Sequence, residues 1–164
     1  LNNSAWFCTL RFDPNTMGTS FDKGNLLYGQ RRWTMAADSF REELAINPHD
    51  SVSHAMLGLC HLQLKEFSAA ANEVTEALRL GPKIAFVHYA AASLAFWSPG
   101  SLELRRGWDP LWFHLREGLS LDPRHVPCLS LQAIVHQTQK DWRKCLAAAE
   151  VGLSVDPNHE RLCY

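Results

Sequence analysis

The chain has 164 residues, with 16 Lys and Arg against 17 Asp and Glu and a net charge of −1. That balance argues against broad electrostatic binding to nucleic acid or to an anionic membrane surface. No apolar run approaches the roughly 20 residues that span a bilayer, and Leu1–Phe12 lacks the basic start and apolar centre of a secretory leader. The sequence has no starting Met and is read as a fragment, so a targeting segment outside it stays open. Cys8, Cys60, Cys128, Cys145 and Cys163 are odd in number and widely spaced, with no Cys-x-x-Cys. Unpaired thiols that serve as small hydrophobes favour a reducing, cytoplasmic compartment.

The prolines act as a ruler along the chain. Pro14, Pro48, Pro82, Pro123 and Pro157 each follow a helical pattern and lie 34, 34, 41 and 34 residues apart. Proline lacks an N–H and restricts the residue before it, so it ends a helix. Before the first of them, Trp6, Leu10 and Phe12 suit the buried face of a second helix, so residues 1–16 are expected to be the tail of a truncated repeat.

Residues 17–50 make the first full unit. A helix is expected over about Thr19–Gly29, then a turn at Gln30-Arg31-Arg32, then a helix over Trp33–Ile46 with Ala36, Phe40, Leu44 and Ile46 at helical spacing. In the second unit, 51–84, Asp50 or Ser51 can cap the first helix and Lys65-Glu66 marks the turn. Its second helix spans Phe67–Leu80. The third unit, 85–125, has a helix over Phe86–Phe96 and then a seven-residue inter-helix insertion. There Trp97–Ser101 reads as a turn and Leu102–Gly107 as inserted material. Asp109 then Pro110 reads as a cap and first turn of the next helix. The fourth unit is 126–159, and residues 160–164 look like the start of a further one.

The recurring residues resemble the tetratricopeptide repeat (TPR) family, whose pattern is Trp-x-x-Leu-Gly-x-x-Tyr, Ala-x-x-x-Phe and Pro within 34 residues. The second unit carries it best, as His54-x-x-Leu57-Gly58-x-x-His61, Ala70-x-x-x-Val74 and Pro82. The first shows Gly24-x-x-Leu27, Ala36-x-x-x-Phe40 and Pro48. The fourth shows Ala133-x-x-His136, Cys145-x-x-x-Ala149 and Pro157. The third is weakest, with Ala92-x-x-Ala95, Leu111-x-x-x-Leu115 and Pro123. The resemblance implies an all-α fold, an α-solenoid of antiparallel helix pairs wound as a right-handed superhelix. It also implies a non-enzymatic scaffold that holds a peptide or helix of another protein in a concave groove lined by the first helices.

By the same resemblance the groove positions are Phe21, Asn25 and Tyr28; Val52, Ala55, Leu59 and Leu62; Phe86, Tyr89, Ser93 and Phe96; and Ser130, Ile134 and Gln137. This surface is apolar, aromatic and nearly free of charge. A carboxylate clamp of the chaperone-binding kind is not expected. Only Asn25 matches it, and Phe21, Phe86 and Ala90 stand where basic residues belong. Whether the aromatic positions meet a ligand or pack between helices stays open.

No catalytic triad, phosphate loop, cofactor motif or metal-ligand spacing is found. His54, His61, His88 and His136 fall where the family expects packing rings. Arg31-Arg32 and Arg105-Arg106 read as solvated turn charges. The insertion between Trp97 and Trp108 is a spacer or a second partner contact. Two other functions stay open: the chain as the substrate-positioning segment of a larger multidomain enzyme, and self-association through exposed repeat ends.

Overall fold

The computed structural model describes residues 19–98 and 108–159. Within them the chain forms eight helices: α1 (Ser20–Gly29), α2 (Trp33–Ile46), α3 (Ser51–Gln63), α4 (Phe67–Leu80), α5 (Ala85–Trp97), α6 (Asp109–Leu121), α7 (Val126–Thr138) and α8 (Trp142–Val155). The expected helix in residues 1–16, the body of the insertion with Arg105 and Arg106, and the unit expected from 160 lie outside the described residues.

The helix starts follow from local chemistry. Thr19 and Asp50 cap α1 and α3, their side chains accepting from Asp22 N and from Val52 N and Ser53 N. Asp141 does the same for α8 through Lys144 N. α6 begins one residue earlier than expected: Trp108 holds the cap and Asp109 lies in the first turn. Pro110 lacks an N–H, which an early helical position does not need. α5 also runs on through Trp97, a residue expected in the turn.

Within three of the hairpins the turn is the same device. Arg31, Lys65 and Lys140 adopt left-handed geometry, with φ of 60°, 62° and 60°. Each such turn closes with the next residue's N–H reaching back five residues: Arg32 N to Leu27 O, Glu66 N to His61 O and Asp141 N to His136 O, all at 2.9 Å. These bonds satisfy carbonyls that the helix end would leave open. Between hairpins the proline turns close on themselves, for example Asp50 N to Asn47 O at 3.1 Å and His125 N to Asp122 O at 3.1 Å.

Each helix pairs with its neighbour in sequence, as α1–α2, α3–α4, α5–α6 and α7–α8, and α2, α4 and α6 pack on the first helix of the next pair. In addition α3 packs beside α5, and α5 beside α7. From α3 onward the first helices therefore approach one another more closely than the second helices do. The architecture is an α-solenoid, and its inner layer is made by the first helices.

Close approach needs small residues where helices cross. A Cβ on Gly24 would lie 2.8 Å from the Phe40 ring, and one on Gly58 would lie 2.8 Å from Val74 Cγ2. Ala55, Ala90 and Ala92 are fully buried along the inner layer, and Phe40, Leu111 and Leu115 fill the hairpin interiors. Ile46, expected with the inward set, is 71% exposed. At 3.6 residues per turn it lies about 200° round the helix from Leu44, so the two cannot share a face.

Candidate functional site

The inner surface is built from the exposed edges of α1, α3, α5 and α7. The expected groove residues divide by depth. Ala55, Leu59, Leu62, Tyr89, Ser93, Phe96 and Ser130 are buried, as is Asn25. Phe21, Tyr28, Val52, Phe86 and Ile134 are half-buried, and Gln137 is exposed. The surface available to a partner is therefore narrower than the family positions alone imply.

Ring geometry explains part of the division. Tyr28 meets Trp33 edge-on at 4.8 Å. Phe96 meets Trp108 at 6.1 Å and Trp97 at 4.6 Å. In both hairpins the last-turn aromatic of the first helix packs on the residue that opens the second. Phe21 leans edge-on against Phe40 at 5.8 Å. Phe86 is different. Its ring lies 5.8 Å from Tyr89 and 6.4 Å from His125, with Tyr89 and His125 6.3 Å apart. These three rings close a triangle between α5 and the start of α7, and Phe86 keeps an open side.

His125 is the residue that sequence reasoning missed. It stands at the α7 cap position, in register with Asp50 at the α3 cap. The only sequence signal was that register, and no side-chain cap bond forms there. Its Nδ1 lies 3.1 Å from Cys128 Sγ. The distance suits a Cys–His nucleophile, but the protonation does not. Burial pushes the Cys128 thiol up to about 12, helped by the Asp122 carboxylate. Burial also holds His125 down to about 4, with Asp122 pulling the other way. A reactive pair needs a thiolate beside an imidazolium, the reverse of both shifts.

Five other histidines, His54, His61, His88, His114 and His136, make contacts between helices and turns. His54 reaches back from α3 with Nε2 3.1 Å from Pro48 O, and His88 from α5 with Nε2 3.0 Å from Pro82 O. Both tie a first helix to the proline turn before it. A carbonyl only accepts, so His88 Nε2 carries a proton. In the neutral pair His88 Nδ1 then accepts from His114 Nδ1, 3.2 Å away. Burial and the neighbouring His88 lower His114, against Glu117. His54 Nδ1 meets Glu73 Oε2 at 2.7 Å. His61 Nδ1 meets Glu66 at 2.5 Å, and His136 stacks on Trp112 with ring centroids 4.9 Å apart. Among the described residues no three His, Cys, Asp or Glu side chains converge to hold a metal ion, and no helix is long and apolar enough to cross a membrane.

No protein-family model and no curated protein matches the chain. Solved structures do. The crystal structure of TTC0263, a thermophilic TPR protein of Thermus thermophilus, aligns with a TM-score of 0.74 at 18% identity, over 87% of this chain and 75% of that one. The fold is the tetratricopeptide-repeat fold. The crystal structure of MamA aligns at 0.57 with 15% identity, over 85% of this chain and 77% of that one. A MamA RS-1 double mutant aligns at 0.53 with 13% identity, over 96% and 83%. In TPR terms, His54 and His88 stand where the repeat pattern has its tryptophan, and each adds a bond to the preceding proline's carbonyl, His88 keeping a ring contact with His114 at 5.4 Å.

Proposed function

We propose that this chain is a non-catalytic protein–protein interaction scaffold of four repeat units, 17–50, 51–84, 85–125 and 126–159. Its inner surface takes a peptide or amphipathic helix of another protein. The observation that supports this reading is the uncharged strip along the first helices, where Phe86, Ile134 and Gln137 stay open beside the buried Tyr89 and Ser93. Ala90, where a clamp for a terminal carboxylate would need a cation, is fully buried. The partner segment is accordingly apolar and read through side chains, a helix-in-groove mode. Phe21, Tyr28 and Val52 extend the strip toward the other end. Asn25, Leu59, Leu62 and Phe96 shape its floor from beneath.

The test is selection of peptides from a displayed library, followed by affinity measurement on variants. Phe86→Ala and Ile134→Ala should each weaken the selected peptides by tenfold or more while leaving the helical circular dichroism intact. Glu76→Ala on α4 should change nothing. Equal binding by all three variants overturns the groove assignment.

A further inference from the structure

The three left-handed turns are also where the chain carries unpaired positive charge. Arg31, Lys65 and Lys140 hold φ of 60°, 62° and 60°, a geometry that glycine adopts freely and a residue with a Cβ does not. All three side chains are exposed, as is Arg32 beside the first. None of these four cations meets a carboxylate among the described residues. Two acids stand close by in sequence and are engaged elsewhere, Glu66 with His61 and Asp141 with Lys144. The backbone fixes where the cations stand. Arg31 N donates to Tyr28 O, Lys65 N to Leu62 O and Lys140 N to Gln137 O, at 3.0, 3.1 and 3.0 Å. Tyr28, Leu62 and Gln137 are the last expected groove positions of α1, α3 and α7, so each cation follows directly on the end of the inner strip. The three turns share one edge of the solenoid, where first helices end and second helices begin. The corresponding turn of the third hairpin lies outside the described residues. The opposite edge is mixed, with Asp50, Asp122 and Asp156 among Lys83 and Arg124.

We infer that this edge binds an acidic stretch flanking the partner's apolar segment, an inference that rests on the groove reading above. Carboxylates form charge-assisted hydrogen bonds with guanidinium and ammonium groups. A single exposed pair is weak, so the edge acts through several cations met by several acids of one peptide. Charge at the rim of an apolar groove fixes the partner's register and speeds its association. The backbone geometry points the same way. Arg and Lys occupy turns that glycine would occupy with less strain, which is the pattern of a position kept for its side chain. Acidic peptide suits this edge better than nucleic acid. Glu66 and Asp141 interrupt the row, and the whole chain carries a net charge of −1. A phosphate at every nucleotide would be repelled by both, whereas a peptide places its acids only where the cations stand.

The test is fluorescence anisotropy with a labelled decaglutamate peptide, a probe without apolar side chains. It should bind the full chain at about 20 mM salt and at least fivefold more weakly at about 300 mM. Arg31→Gly and Lys65→Gly remove charge while keeping the turn geometry. Combined, they should weaken decaglutamate binding at least fivefold with unchanged circular dichroism. Lys83→Ala, on the opposite edge, should change nothing. Four glutamates added to one end or the other of a library-selected groove peptide should tighten its binding at least fivefold to the wild type and not to the double variant. Absence of salt-sensitive decaglutamate binding, or equal binding by the double variant, overturns this inference and leaves the groove reading standing. Decaglutamate binding with no gain from either flank overturns the link between edge and groove. A ten-nucleotide oligothymidylate that binds more tightly than decaglutamate overturns the assignment to acidic peptide.

Discussion

Acid should weaken this fold through His125. The imidazole is enclosed by Phe86, Tyr89 and Cys128. Burial lowers its titration from 6.5 to about 4, with Asp122 opposing. Between those values the unfolded chain binds a proton that the folded chain refuses. Stability is therefore complete above pH 6.5 and falls as pH drops toward 4. A shift of this size amounts to roughly 2 kcal/mol at pH 5 and about 3 kcal/mol at pH 4. His125→Phe keeps a ring between Phe86 and Tyr89 and removes the titration. Urea unfolding at neutral pH and at pH 5, followed by circular dichroism, gives the loss for each protein. The wild type should lose about 2 kcal/mol more than the variant over that interval. Other titrating groups, including His114, contribute to both and cancel in the difference. Equal losses would show that His125 is no more buried than an ordinary surface histidine and would refute the reasoning.

Four further substitutions at three positions probe the local geometry, each read as a change in urea midpoint at neutral pH. Gly58→Ala places a methyl 2.8 Å from Val74 Cγ2 and should destabilise by about 1–3 kcal/mol. Lys65→Val forces a β-branched residue into φ 62° and should cost about 1–2 kcal/mol, whereas Lys65→Gly should cost nothing measurable. Asp50→Ala removes the acceptor for Val52 N and Ser53 N and should cost about 1–2 kcal/mol.

The helical architecture was legible in the sequence because its causes are local. The turn residues at Arg31 and Lys65 and the Gly58 crossing act within one hairpin, and each proline closes the turn between neighbouring hairpins. The site was legible only in outline. Family positions mark Tyr28 and Phe96 as groove residues. Their last-turn location also brings them against Trp33 and Trp108, and a helical period does not decide between the two surroundings. The triangle of Phe86, Tyr89 and His125 joins residues from two hairpins across a proline turn. No periodicity links His125 to Phe86. The histidine bonds to Pro48 O and Pro82 O were hidden for a related reason. A ring that replaces tryptophan reads as packing until its nitrogens meet a carbonyl.

The central claim is that partners lie along the inner layer of first helices. The most direct measurement is amide hydrogen exchange of the full chain with and without a saturating selected peptide. New protection is expected in α5 and α7, around Phe86 and Ile134, with little change in α4, α6 and α8. Protection confined to the second helices, with α5 and α7 unaffected, would contradict it.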